Sequence, residues 1–170
     1  MANRNLDGLL VGVVTTLALL SCSGRSSVVP NSPGNAAPTP AAEVAGSWDV
    51  VIQTLSDTGP RFCIHQPSVG SRDRAVYTLS GQGDSIVLQP LNSIDEEIFN
   101  AKIDGLKFSG ANAPVDSGTS TCAHYRYVST IAGTFSPNHS SFTANVTWSF
   151  TLDSGEAETI TFSWLGTRQG

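Results

Sequence analysis

Cysteine and histidine recur in one pattern, Cys63-Ile64-His65 and Cys122-Ala123-His124. In an extended chain residues i and i+2 share a face, so each pair could offer two ligands to one metal ion. Two such strands side by side would give a Cys₂His₂ set with tetrahedral geometry. The same cysteines also read as one disulfide, Cys63–Cys122, and in an oxidising compartment that is the expectation. Such a bridge closes a loop of about 60 residues and constrains the unfolded chain by roughly 4 kcal/mol. Carboxylates recur too: Asp57-Thr58-Gly59, Asp116-Ser117-Gly118 and Asp153-Ser154-Gly155 are three copies of one string. Asp can bond its own backbone and Gly accepts positive φ, so turn chemistry explains all three. Asp95-Glu96-Glu97 could join a calcium site, but calcium wants a ring of six or more oxygens, and solvated charges are the expectation.

The elements that must position these groups alternate with a period of two. From Ser141 to Leu152, Phe142, Ala144, Val146, Trp148, Phe150 and Leu152 take every second place. Asp153-Ser154-Gly155-Glu156 turns the chain, and Glu158 to Thr167 returns with Ile160, Phe162 and Trp164 in phase. Shorter runs precede this hairpin: Gly46 to Leu55, Arg74 to Ser80, Ser85 to Gln89, Glu97 to Ile103, Leu106 to Ser109, and His124 to Phe135. Asp104-Gly105 is a hairpin signal. About eight strands in meander order predict an all-β, antiparallel up-and-down barrel, because closure removes exposed edges. A β-sandwich is the alternative.

The chain begins differently. Leu9 to Leu20 is apolar, of signal-peptide length and too short to span a bilayer as a helix. Leu19-Leu20-Ser21-Cys22 resembles the lipobox of bacterial lipoproteins. That resemblance implies removal of residues 1–21, lipidation of Cys22 and a membrane anchor. Ser23 after the cysteine is similar to outer-membrane-sorted examples, which implies a place in the cell envelope facing the periplasm or the surface. Residues 22–45 are rich in Ser, Pro, Asn and Ala, and the prolines predict an extended tether without helix. Residues 46–170 are the expected barrel domain, long enough for one core and too short for two.

Gly46-Ser47-Trp48 resembles the Gly-x-Trp signature that opens lipocalins and the wider calycin group. In that group an Arg beyond the last strand packs across the opening Trp, and Arg168 occupies the corresponding place. A lipocalin-like barrel would hold a small apolar ligand in its interior. Trp48, Tyr77, Phe99, Tyr125, Trp148 and Trp164 are the candidate lining residues; the bland alternative is that these rings fill the barrel. Val115-Asp116-Ser117-Gly118-Thr119-Ser120 resembles the catalytic motif of aspartic proteases, with Asp57 as a second carboxylate. The third copy, on an evident hairpin turn, weighs against that resemblance.

Charged residues make up 14% of the chain, the net charge is −5 and there are only three histidines. With no basic stripe, nucleic acid is disfavoured as a partner. No Ser-His-Asp order stands out, and no phosphate-cradling loop is present. The expectation is a monomeric, membrane-anchored binding or envelope-interaction protein without cofactor or metal, and not an enzyme. A metal-dependent or aspartic-type hydrolase is the remote alternative.

Overall fold

The computed structural model describes residues 40–59, 61, 66–91, 97–119 and 122–170. Cys22, Cys63, His65, Asp95 and Glu96 lie outside them, as does the side chain of Cys122. The lipidation, disulfide and Cys₂His₂ expectations therefore fall outside the described residues. A short helix, α1 (Pro40–Val44), leads into nine strands. They are β1 (Gly46–Thr58), β2 (Arg72–Gln82), β3 (Ser85–Pro90), β4 (Phe99–Asp104), β5 (Lys107–Ala111), β6 (Val115–Thr119), β7 (Cys122–Phe135), β8 (Ser141–Leu152) and β9 (Ala157–Arg168).

The sheet order is β5-β4-β3-β2-β1-β9-β8-β7-β6, and β5 also pairs with β7. That last pairing closes an eight-stranded antiparallel barrel with β6 as an extra strand, so a lipocalin-like barrel forms and the sandwich does not. The long hairpin forms as its alternation predicts, with Phe142 opposite Gly166 and Trp148 opposite Ile160. Inward residues of β9 such as Ile160, Phe162 and Trp164 are buried, while Leu165 between them is half exposed.

β6 corrects an expectation. Asp116-Ser117-Gly118 is part of a strand rather than a turn. β5 pairs with Thr130–Thr134 of β7, and β6 takes up the same neighbour from Tyr127 onward. The two are therefore one interrupted strand, and Asn112 spans the break. Its N–H donates to Ser129 O at 3.0 Å, and its Oδ1 accepts from Ser129 N at 2.7 Å.

The second correction concerns the tether, which was expected to run to Ala45 without helix. Pro40–Val44 is helical, with Ala41 and Val44 buried. Pro at the first helical position loses only an N–H that would have no partner there. Five residues leave carbonyls unpaired at the helix end, and the barrel supplies donors. Trp48 Nε1 donates to Val44 O at 3.0 Å, Arg168 Nη1 to Glu43 O at 2.9 Å, and Arg168 Nη2 to Ala45 O. Trp48 and Arg168 stand opposite each other on β1 and β9, so both reach the end of α1. This is the closed end of the barrel.

Candidate functional site

The other end is built by a bulge. Along β1, Trp48, Val50 and Thr54 face the core, so even positions point inward. The register with β9 shifts between Thr54 and Ser56. A bulge places two residues against one and re-aims the side chains beyond it. Asp57 consequently faces inward opposite Ile160, with its side chain 6% exposed. Gly59 completes the turn with φ of +124°, and a Cβ there would lie 2.7 Å from Ala157 O and 2.9 Å from Glu158 Cα. Only glycine lets the backbone close over Glu158 in this way.

Glu158 is 1% exposed. Gln66 Nε2 donates to its Oε2 at 2.6 Å, and a side-chain hydrogen bond joins it to Asp57. Burial, and then the bond to Asp57, push the Glu158 carboxyl up to about 7, against the opposing pull of Gln66. Two carboxyls can share such a bond only if one keeps its proton. Arg61 Nε lies 3.3 Å from Asp57 Oδ2, on the outer side of the pair.

A second acid faces the same space. Glu97 is 8% exposed rather than solvated, which corrects the expectation for the Asp95-Glu96-Glu97 cluster at the one member described. Ser129 Oγ donates to Glu97 Oε2, and the side chains of Trp148 and Tyr127 also hydrogen-bond to it. Burial outweighs these donors and raises its carboxyl to about 8. Burial also pushes the Tyr127 phenol up to about 12, with the Glu97 charge adding to it.

Strand register unites the two acids. Tyr127, Phe150 and Glu158 form one inward rung across β7, β8 and β9, and Ser129, Trp148 and Ile160 form the next. Tyr125, Tyr127 and Trp148 are half-buried here, stacked with Phe150 at centroid distances of 5.4–6.0 Å. Leu55, Val69, Leu91 and Ile98, all about half exposed, border this end on β1 and the connections around β2, β3 and β4.

The candidate lining residues thus divide. Tyr125 and Trp148 stand at the acid-bearing end. Trp48, Tyr77, Phe99 and Trp164 are packed below it, with Tyr77 and Phe99 at 4.9 and 5.6 Å from the Trp164 ring. Phe108, Phe135 and Phe142 pack around Trp48, at 5.3 Å for the Trp48–Phe142 pair. A concavity of about 950 Å³ touches Val51, Gln53, Asn145 and Leu165. Those side chains face away from the core; Trp164 and Phe108 also border the concavity, and none of the buried acids does.

The protease-like carboxylates do not pair with one another. Asp57 binds Glu158 and Arg61, whereas the exposed Asp116 holds Arg126 Nε at 2.8 Å. His124 is exposed and lies 3.1 Å from Asp153. Glu158, Gln66 and Ser129 escaped sequence reasoning, because a single acid at a strand start has no periodic signature. The Gly59 beside Asp57 was the available signal.

No protein-family model, curated protein or solved structure matches the chain.

Proposed function

We propose that the chain is a membrane-anchored bacterial lipoprotein, lipidated at Cys22, whose barrel binds a small ligand at its acid-bearing end. The observation that supports this is the contrast inside the barrel. Rings fill the lower lumen, while at the upper end half-buried Tyr127 and Trp148 bond to Glu97, and Asp57 and Glu158 lie buried in the same part of the barrel. A concave apolar surface with a few convergent polar groups is how small-molecule sites are built. In this reading the tether holds a monomeric, non-enzymatic barrel at the outer membrane, facing the periplasm or the surface. Cys63 and Cys122 form a disulfide, and no cofactor or metal is used. The packed lower lumen favours a second reading, a structural lipoprotein with a filled barrel that meets another envelope protein.

One measurement tests these elements together: native mass spectrometry of the protein extracted from its own envelope. The expected species carries an N-acyl mass at Cys22, lacks two hydrogens at the cysteines and retains a small molecule. Protein recovered with no carried molecule would leave the filled-barrel reading in its place. An unacylated Cys22 would remove the anchor.

A further inference from the structure

We propose that the acid-bearing end takes an organic ammonium, a positively charged nitrogen on an apolar chain, whose head binds among Asp57, Glu158 and Gln66. This rests on the binding reading above and names the ligand class. Its first ground is the inventory of unmet groups. Asp57 Oδ1, Glu158 Oε1 and Gln66 Oε1 are buried acceptors, and the proton shared by the two carboxyls is the one donor among them. The other atom of that inventory among the described residues, Trp164 Nε1, is a donor lying deeper, beside Tyr77 and Phe99. An unmet buried acceptor costs about 1–3 kcal/mol. A proton on Glu158 can bridge the two carboxyls but leaves Gln66 Oε1 unmet. An ammonium carries three donors and one charge, enough for all three oxygens.

The surroundings select against the other heads. Glu158 is faced by Asp57 from β1, by Arg61 and Gln66 from the connection after β1, and by the Tyr127 rung from β7. Glu97 is bonded to that same Tyr127. Arg61 is the one cation in that set, is half exposed, and is engaged by the other oxygen of Asp57. An anionic head would meet three acids, and a neutral hydroxyl could donate only once. Among the described residues no three His, Cys, Asp or Glu side chains gather to hold a metal ion. The half-buried faces of Tyr127 and Trp148 suit a cation, and the exposed Val69 and Leu91, in the connections at this end, offer apolar surface for its chain.

The test uses the full chain in detergent and three probes of one length: hexylammonium, hexanol and hexanoate. Tryptophan fluorescence, which includes Trp148 at the site, reports binding. At pH 8 hexylammonium should bind roughly tenfold or more tighter than either analogue, the size of one charged hydrogen bond. Its affinity should fall at pH 5.5, where Glu158 holds its own proton, and Glu158→Gln should remove the preference at pH 8. Asp57→Asn offers a second route should Glu158→Gln fail to fold, and Asp116→Asn, on the outer surface, should change nothing. Equal binding of ammonium and alcohol would overturn the inference while leaving an apolar binding barrel intact. A preference for hexanoate, or no response to hexylammonium at all, would overturn it too. Whether the barrel carries any ligand is decided separately by the mass of the native protein.

Discussion

The two ends of this barrel solve opposite problems with the same strands. At the closed end Trp48 and Arg168 hold the last carbonyls of α1, and aromatic rings fill the space above them. At the acid-bearing end β1 and β9 carry Asp57 and Glu158 inward, Glu97 is buried just before β4, and Asp57 and Glu158 keep oxygens without an outside donor. Burying a carboxyl without full pairing is destabilising. Stability resides at one end and unmet capacity at the other, the distribution expected of a binding protein that holds its site on a rigid base.

The largest expected effect tests the packed end. Trp48 is fully buried against Phe135 and Phe142, so Trp48→Ala should cost about 3–5 kcal/mol in urea unfolding. Trp148 is half-buried and should cost clearly less when truncated. Equal losses would mean that the acid-bearing end is as much core as the closed one, and the comparison would collapse.

The next effect reads the acids themselves. Glu97 and Glu158 have folded values of about 8 and about 7, raised from 4.5. Between 4.5 and those values the folded chain binds protons that the unfolded chain has released. Stability from these groups is therefore greatest in acid and is lost as pH rises towards 7 and then 8. Each such proton gives a slope of up to about 1.4 kcal/mol per pH unit. Denaturation from pH 5 to 9 should show this decline, and Glu97→Gln should flatten its upper part. A stability that rises with pH over this window would show that the acids are not held protonated.

Much of the fold was legible because alternation in β8 and β9 leaves one face apolar, and burial fixes the register of such strands. Trp48 was legible as an apolar member of the alternating run from Gly46 to Leu55, whereas the bonds from Arg168 to α1 were not. β6 was hidden because Asp-Ser-Gly reads as a turn, yet here β7 offers the segment a ladder to continue. Helix α1 was hidden because its stability comes from donors on Trp48 and Arg168, distant in sequence. The site was hardest to read. A bulge at one residue of β1 turns Asp57 from solvent to core, and parity arguments carry no record of an insertion.

The smallest expected effect sharpens the comparison most selectively. Arg168 reaches two carbonyls, of Glu43 and Ala45, with separate nitrogens of one planar fork. Arg168→Ala should lower stability by about 1 kcal/mol, since these bonds are exposed and water can replace them in part. The change should be local. Amide exchange at Ala41–Val44 should accelerate, because α1 is only five residues long and too short to hold itself. Arg168→Lys keeps the charge but offers a single ammonium, which cannot reproduce a two-pronged grip, so its protection should fall between wild type and alanine. Throughout, the pH dependence set by Glu97 and Glu158 should stay as in the wild type. Were loosening α1 to shift that dependence, the two ends would be coupled through the length of the strands, and the closed end would be part of the site rather than its base.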